Sequence, residues 1–383
     1  MKDFHYLRRN KSTRWHSRPL GPRLRRLGPV AWFAAPILAA LLIPLVVVPL
    51  HRGQPTPPAL PAVTAAPAAP AGPEAAAQEA AQPKVSVYLS RSGQIETLPL
   101  EEYVSGVLAA EMPASFELEA LKAQAVAART FILRRLLAGD RSGVPVPGAD
   151  VTDTVSHQAY VSKDTLEREW KLGGRSADLA KLQRAVLETR GVIMTYKGQP
   201  ITASFFASSG GYTENSEEYW NAAIPYLRSV TSPWEKEITP NYAVTTTFTI
   251  SEILTRLGLN DSVIPASKEM THSVPTKKIS TSSELPVEVL SLTTGHRVKE
   301  ISIGGTIFTG REVREKLGLR SSQFSWGRKG NKIFITTFGN GHGVGMSQWG
   351  ANGMAKEGGT ATQILKHYYS GISFTQISTL LKK

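Results

Sequence analysis

The chain has 383 residues, a formal net charge of +13 and 41% apolar residues, enough to bury the core of one large domain or two modest ones. It contains no cysteine, which excludes a thiolate nucleophile, an iron–sulfur cluster, a disulfide-stapled scaffold and a cysteine zinc site. More than half of the excess positive charge lies in residues 1–26, so the remainder is only mildly basic and indicates no nucleic-acid partner.

The first 83 residues of the sequence predict a membrane anchor followed by a linker. Residues 1–29 are a basic segment, and residues 30–50 are an apolar stretch without a charged side chain, close to the roughly 20 residues that a membrane-spanning helix needs. The basic flank places the N-terminus in the cytoplasm. A cleaved signal peptide is the alternative, although its apolar region usually has only about 7–15 residues. Residues 51–83 are rich in alanine and proline, which predicts a semi-extended linker.

The rest of the chain, residues 84–383, predicts an α+β fold of mixed helices and short strands in one large extracytoplasmic domain, preceded by the single transmembrane helix. The first predicted elements are a hairpin over 84–90 and 93–99, a helix over 100–112 ended by Pro113, and a helix capped by Ser115 that runs to Leu137. A turn-rich stretch over 138–163, a helix over 176–190, a hairpin over 192–208 and an ordered loop over 207–235 follow. The last elements are short strands over 243–335 with helices at 251–258 and 310–317, a strand in 332–338, a glycine-rich loop, and helices near 346–356 and 360–369.

Glu111 is the carboxylate whose position most strongly indicates chemistry. It follows Val104 and Val107 at helical spacing, which places it on the apolar face of the helix. It also lies in the last turn, where the helix dipole opposes a negative charge. Burial and the dipole both raise a carboxyl pKa, and a carboxylic acid that is protonated near neutrality can protonate a glycosidic oxygen. The alternative is a helix-end glutamate paired with a neighbouring Arg or Lys.

Lys122 and Arg129 fall on one side of the next predicted helix, two turns apart. Such a pair can bind an anionic substrate or Glu111, or it can simply form a solvated face. The alanine-rich run 123–128 between them predicts that a neighbouring backbone packs closely against this helix.

Three further residues lie in loops that can carry a site. His342 lies between glycines, where a ligand or another chain segment can approach the backbone, and it is either structural or catalytic. Ser209 lies in a Ser-Ser-Gly-Gly run, but there is no GxSxG motif. Tyr212 belongs to an aromatic group that can stack on sugars or form a core. The histidines have no short metal-ligand spacing, so neither a metal nor another cofactor is predicted.

Five sequence blocks closely resemble the stage II sporulation protein D family, which overlaps the amidase-enhancer domain of certain cell-wall proteins. The resemblance spans residues 98–373 and is weakest in 236–335. The five blocks are residues 98–131, 150–160, 205–220, 225–235 and 341–358.

This resemblance implies a membrane-anchored lytic transglycosylase that cuts the β-1,4 bond between N-acetylmuramic acid and N-acetylglucosamine, giving 1,6-anhydro products. It implies action during engulfment in endospore formation, outside the cell membrane in the space between mother cell and forespore. The implied partners are peptidoglycan glycan strands already stripped of stem peptides, the amidase stage II sporulation protein P and the membrane protein stage II sporulation protein M. Some members hold a metal with cysteines, a feature that does not carry over to this chain.

The resemblance also implies roles for individual residues. The catalytic glutamate of the family falls in its E-M-P block, which here makes Glu111 the catalytic acid. Substrate-binding or supporting roles carry over to the residues Lys122, Arg129, Ser209, Tyr212, His342 and Gln348.

Two other functions stay open at this point. A hydrolase needs a second carboxylate to activate or replace water, and Asp153, Glu217 or Glu218 can serve. A wall-binding protein that activates an N-acetylmuramoyl-L-alanine amidase needs no catalytic acid of its own.

Overall fold

The computed structural model describes residues 82–259 and 285–381. The predicted basic segment 1–29, the predicted span 30–50 and nearly all of the predicted linker 51–83 lie outside these described residues. Within the described ranges, no helix is both long and apolar enough to cross a membrane. Mixed helices and several small sheets make up this part of the chain, as expected for an α+β fold.

The strands form five small sheets, with the orders β2-β1-β3, β14-β4-β5, β13-β6, β10-β9-β8 and β11-β12-β7. Their bounds are β1 Lys84–Leu89, β2 Gln94–Pro99, β3 Val151–Thr152, β4 Val192–Tyr196, β5 Gln199–Pro200, β6 Phe205–Phe206, β7 Ala243–Thr249, β8 Val287–Leu292, β9 Val298–Ile303, β10 Thr306–Thr309, β11 Phe324–Lys329, β12 Lys332–Phe338, β13 Met346–Ser347 and β14 Ser373–Gln376.

The helices lie singly or in pairs between groups of strands along the chain, and a π-helical turn, Leu166–Lys171, follows the third helix. Their bounds are α1 Leu100–Glu111, α2 Leu118–Ala138, α3 Lys163–Thr165, α4 Ser176–Glu188, α5 Glu217–Trp220, α6 Glu235–Ile238, α7 Ile250–Leu257, α8 Gly310–Leu317, α9 Gln348–Lys356, α10 Ala361–Tyr368 and α11 Ile377–Leu380.

Helix α2 is the centre of the larger of two hydrophobic cores. It contacts helices α1, α4, α9 and α10 and strand β4, so almost no side of it faces solvent. The alanines of the 123–128 run are fully buried, which confirms that neighbouring elements pack closely against it. None of the residues 120–133 of this helix is exposed, so this stretch has no solvated stripe.

The smaller core lies between β7, β9 and β12 and the helices α7 and α8. Both helices start at a threonine that forms a capping box with the glutamate three residues later, Thr249 with Glu252 and Thr309 with Glu312. The predicted helices 251–258 and 310–317 are confirmed to within one residue.

The first hairpin and the first helix form where the sequence predicts them, and α1 ends one residue before Met112. The predicted cap of the second helix is wrong. Ser115 lies in a turn closed by the Phe116 N–H, which donates to the Pro113 carbonyl over 3.0 Å. Helix α2 therefore begins only after Glu117, whose N–H donates to Asn352 Oδ1 at 2.8 Å. The predicted strand over 201–208 shrinks to the two residues of β6, which pair in parallel with β13.

The glycine-rich loop between β12 and α9 lies alongside the loop that follows β6. Isolated bridges pair Ser208 with Asn340 and Glu214 with Val344. Gly343 and Gly345 have φ values of +93° and +80°, which side chains rarely adopt. A Cβ at Gly345 would also lie 2.1 Å from the carbonyl oxygen of Ser204, just before β6, so only glycine permits this close approach.

Candidate active site

Glu111 is the last residue of α1, and its carboxylate is held by two neutral donors. The backbone N–H of Ala159 donates to Oε1 at 2.9 Å, and the side-chain amide of Gln348 donates to Oε2 at 3.1 Å. The residue is half-buried. Burial raises the pKa of the carboxyl above its ordinary value, and the two hydrogen bonds offset part of that rise. The result is a carboxyl with solvent contact that holds its proton more readily than an ordinary glutamate does.

The donor from Ala159 reaches Glu111 because its segment lies directly on α1. Gly106 has no side chain, and a Cβ there would lie 2.2 Å from the ring of Tyr160. The Tyr160 ring stacks on Tyr103 with centroids 5.5 Å apart, and the Tyr103 hydroxyl donates to Gln158 Oε1 at 3.0 Å. Burial raises the pKa of Tyr103, and the negative charge of Glu111 raises it further, so this phenol stays neutral beside the carboxylate.

Gln348 is brought to Glu111 by the start of α9. Ser347 caps this helix by accepting the Gly350 N–H at 3.2 Å, and the pairing of β13 with β6 fixes the direction in which the helix begins. Gln348 itself is buried, with 6% of its surface exposed. The structure therefore brings Gln348 into hydrogen-bond contact with Glu111.

His342 lies in the glycine-rich loop that precedes Gln348, and both of its ring nitrogens contact backbone groups. Its Nε2 lies 3.0 Å from the Phe205 carbonyl oxygen, and its Nδ1 accepts the Val344 N–H at 3.1 Å. A carbonyl only accepts and an N–H only donates, which assigns the proton to Nε2. Burial lowers the pKa of His342 to about 3, helped by the charge of Arg297. The ring is therefore neutral and joins the two loops, with no nitrogen left for proton transfer.

Ser209 does not meet Glu111; it binds a buried glutamate that the sequence analysis did not single out. Glu235 accepts the Ser209 N–H at 2.5 Å, the Ser209 hydroxyl at 2.7 Å and the Ser232 hydroxyl at 2.7 Å. Ser232 in turn shares a hydrogen bond with the Tyr368 hydroxyl. Burial raises the pKa of Glu235. This cluster ties together three separate chain segments.

Tyr212 is half-buried, pairs with Thr231 in an isolated bridge and packs against His296 with ring centroids 4.2 Å apart. The structure thus uses this tyrosine, at least in part, to join the loop after β6 to the turn between β8 and β9.

Arg129 is fully buried and is not part of a solvated face. Its Nε and Nη2 form a bidentate pair with the Glu101 carboxylate, at 3.0 and 2.6 Å. Its remaining donors reach Thr189 and the carbonyls of Val186 and Val192. Spacing along a helix cannot show this, because every face of α2 is covered. Arg129 therefore ties α1 and α2 to the α4–β4 connection.

Lys122 is largely buried and pairs with Glu119 at 2.7 Å and with Glu188 at 2.5 Å. Neither partner is Glu111. The structure therefore places Lys122 and Arg129 in separate ion pairs, and it does not bring either cation to the Glu111 carboxylate.

A cavity of about 460 Å³ lies where the two cores meet, and it contains functional groups that sequence reasoning missed. Glu214 and Arg297 line it, with only 2% and 1% of their surfaces exposed and 3.5 Å between Arg297 Nε and Glu214 Oε1. Burial raises the pKa of Glu214 to about 8. Glu214 lies in an irregular loop and Arg297 in the region of weakest resemblance, so no periodicity marks them.

Over residues 82–259 and 285–381, no group of three or more acidic or histidine side chains is arranged to hold a metal ion.

Comparison with known proteins places the chain among sporulation proteins. A family model described as "Stage II sporulation protein" matches residues 88–196, a range that includes Glu111. The chain is 46% identical over 299 residues to "Stage II sporulation protein D" of Bacillus amyloliquefaciens, with 78% of this chain and 80% of that protein covered. It is 44% identical over 346 residues to the protein of the same name from Bacillus subtilis (strain 168), with 90% and 94% covered.

A more distant relative carries a different name. The "Amidase enhancer" of Bacillus subtilis (strain 168) is 31% identical over 314 residues, which cover 71% of this chain and 40% of that protein. The two nearer matches cover most of both chains at well over 30% identity, and they extend far beyond the Glu111 helix. The chain therefore belongs to the stage II sporulation protein D family.

Proposed function

We propose that this protein is a peptidoglycan lytic transglycosylase that cleaves the β-1,4 bond between N-acetylmuramic acid and N-acetylglucosamine, with Glu111 as the catalytic acid and base. The observation that carries the proposal is the state of the Glu111 carboxyl. It is half-buried, its pKa is raised, and its hydrogen-bond donors are a backbone N–H and a neutral amide. A carboxyl in this state can give up a proton at neutral pH and take one back.

The reaction needs one carboxyl because no water enters the product. Protonated Glu111 gives its proton to the glycosidic oxygen while the bond to the muramoyl C1 breaks through an oxocarbenium-like state. The carboxylate that forms is stabilised by the donors from Ala159 and Gln348. It then removes the proton from the 6-hydroxyl of the same muramoyl ring as that oxygen bonds to C1. The ring closes as a 1,6-anhydro sugar, and Glu111 is protonated again.

The positions of the three alternative carboxylates support this mechanism over a two-carboxylate hydrolase. Asp153 accepts the Ser90 N–H at 3.0 Å beside the first hairpin. Glu217 is bound by Arg228, whose hydrogen bond lowers the pKa of this carboxyl to about 2. Glu218 accepts the Thr294 N–H at 3.0 Å. Each is thus engaged with a partner other than Glu111.

Product analysis tests the reaction type. Purified protein acting on peptide-free glycan strands should release fragments with 1,6-anhydromuramic ends, which are lighter by one water than the reducing ends that a hydrolase leaves. The variants Asp153→Asn and Glu217→Gln should retain most of this activity. Reducing ends, or loss of activity in either variant, would favour the hydrolase instead.

We further propose that residues 30–50 anchor the protein in the cell membrane, with the N-terminus in the cytoplasm and residues 84–383 outside it. During sporulation this places the catalytic domain between mother cell and forespore, beside stage II sporulation proteins P and M as partners. The basic segment 1–26 and the uncharged stretch that follows it support the orientation. Protease added to intact protoplasts should remove the outer domain and leave a short N-terminal fragment; release of protein lacking residues 1–65 into the medium would contradict retention.

A second candidate function is activation of an amidase without catalysis, and the similarity to the "Amidase enhancer" is the observation that favours it. An activator should stimulate a purified N-acetylmuramoyl-L-alanine amidase equally well with or without Glu111. A transglycosylase should cleave glycan strands with no amidase present.

A further inference from the structure

The cavity between the two cores has features of a ligand site that does not involve Glu111. Its volume of about 460 Å³ is in the usual range for small-ligand sites. The lining includes Glu214, Glu218, Tyr219, Arg297, Arg311 and His342. The larger core contributes the 214–219 segment and the smaller core the turn around Arg297, so the cavity depends on both.

Arg297 is the central group because it is buried and its hydrogen bonding is incomplete. Its Nη1 donates to the Gly341 carbonyl at 3.0 Å, whereas Nε and Nη2 have no hydrogen-bond partner. Glu214 Oε1 lies 3.5 Å from Nε, too far for a good hydrogen bond. The Nε and Nη2 hydrogens form one edge of the guanidinium, the edge that binds carboxylates through two parallel bonds.

The neighbouring Glu214 forms no hydrogen bond to this arginine, and burial favours the acid form of its carboxyl. Burial raises the pKa of Glu214 to about 8, and its Oε1 accepts the Thr293 hydroxyl at 2.8 Å. Of the other charged groups nearby, Glu217 pairs with Arg228 and Arg311 pairs with Glu315. His342 is neutral. Glu218, which also lines the cavity, accepts the Thr294 N–H at 3.0 Å. The cavity therefore contains a buried guanidinium whose Nε and Nη2 have no hydrogen-bond partner.

Tyr219 lines another wall of the cavity. Its ring lies 5.5 Å from the ring of His342 between centroids, and the Arg311 guanidinium lies 4.6 Å from its centroid. Tyrosine offers an apolar face together with a polar tip, which suits a ligand with both C–H and hydroxyl groups. A sugar ring that also carries a carboxylate therefore matches Tyr219 and Arg297.

We propose that this cavity binds one carboxylate-bearing sugar unit of the glycan, with Arg297 Nε and Nη2 holding the carboxylate and Tyr219 against the ring. The inference rests on the proposed function, in which the sugar is a muramoyl residue with a free lactyl carboxylate. His342 at the cavity and Gln348 at Glu111 are six residues apart, so their Cα atoms lie within about 22 Å of each other. In this proposal the cavity, and not Lys122 or Arg129, binds that carboxylate.

Titration with N-acetylmuramic acid and with its methyl ester, followed by NMR at fixed pH and salt, tests the inference directly. The ester keeps the shape of the sugar and removes the charge. Charged hydrogen bonds are stronger than neutral ones, so the free acid should bind roughly tenfold tighter or more. Equal affinities for acid and ester would overturn the proposal.

Variants locate the effect. Arg297→Met should abolish the preference for the acid, whereas Arg135→Met, which alters a buried arginine at the end of α2, should preserve it. Glu111→Gln should bind both ligands as the wild type does. Persistence of the preference in Arg297→Met, or its loss in Glu111→Gln, would assign the carboxylate to another site.

Tyr219→Leu provides a test that does not require replacing the buried arginine. It should weaken acid and ester alike, by about tenfold, while Tyr88→Leu on strand β1 should change neither affinity. Unchanged binding in Tyr219→Leu would refute the contact of Tyr219 with the sugar ring. All these measurements are of binding, so their failure leaves the release of anhydro products by the wild type untouched, whereas failure of the proposed function appears as the absence of those products.

Discussion

Glu111 and Glu235 are both glutamates whose pKa is raised by burial, yet their surroundings differ in the one respect that matters for chemistry. Glu235 is fully enclosed and accepts three hydrogen bonds from Ser209 and Ser232. Glu111 is half-buried and accepts two, one on each oxygen. A raised pKa is therefore insufficient to identify a catalytic acid, because a substrate oxygen must also reach the proton.

The same contrast separates structural and reactive roles elsewhere in the molecule. The carboxylate of Glu101 is occupied by the buried guanidinium of Arg129 and by the Gly191 N–H. These contacts join elements of the larger core and leave no room for a ligand. We therefore expect charged groups that are enclosed to determine stability, and the half-buried Glu111 to determine turnover.

The largest expected effect is that of Glu111→Gln. The amide keeps the shape of the side chain but cannot titrate, and general acid–base catalysis contributes about 10²–10⁴-fold, so turnover should fall by at least that factor. The rate of anhydro-product release, measured by mass spectrometry, checks this.

Glu235→Gln is the matched control. Its amide oxygen can accept the Ser209 N–H while its NH₂ donates to the two serine hydroxyls, so turnover per folded molecule should stay close to wild type. If Glu235→Gln were the inactive variant and Glu111→Gln remained active, the comparison would be reversed and Glu235 would be the acid.

The next effect in size is on stability, through Arg129. Arg129→Met leaves the Glu101 carboxylate without its partner, and breaking a buried pair typically costs about 3–5 kcal/mol of unfolding free energy. We expect the lower end of that range, because the Glu101 side chain keeps 16% exposure. Urea denaturation measures the change. An unchanged midpoint would show that the pair contributes nothing, and Arg134→Met on the same helix serves as the control.

A smaller loss of stability is expected for Glu235→Leu. Leucine fills a similar volume but leaves the buried Ser209 N–H without an acceptor, which costs about 1–3 kcal/mol. Activity per folded molecule should change little. A stability equal to that of the wild type would show that the serine cluster has an alternative acceptor.

The smallest effect is a displacement of the pH profile by Gln348→Leu. Because Glu111 must be protonated to start the reaction, kcat/KM should fall as pH rises through its raised pKa. The Gln348 hydrogen bond lowers that pKa, so its removal should move the alkaline fall to higher pH. The exposed Gln183→Leu should leave the profile in place. A shift to lower pH would mean that Gln348 does not stabilise the carboxylate.

Local patterns in the sequence predict much of the fold. Pro113 and the apolar spacing of residues 103–108 define α1, and the capping threonines define α7 and α8. The position of Arg129 could not be predicted, because helical spacing gives a face but does not show that all faces of α2 are covered. Ser115 was a plausible cap, but the chain turns there and continues to Glu117 before the helix begins.

Only part of the candidate site can be predicted from the sequence. Its acid follows from helix position and from the E-M-P block, and Gln348 from family resemblance. The Ala159 donor is a backbone group 48 residues away, so its side chain gives no signal. Glu214 and Arg297 meet across two irregular segments, and only the tertiary structure shows that they share a cavity.

The Ala159 donor has a consequence for how the sequences of this family can vary. One of the two hydrogen bonds that lower the pKa of Glu111 comes from the main chain, where every residue except proline supplies the same N–H. Substitutions at position 159 other than proline should therefore preserve this hydrogen bond, whereas each substitution at position 348 should change the hydrogen bonding of the Glu111 carboxylate. Differences in optimum pH between natural homologues should then follow the residue at 348 and ignore the residue at 159.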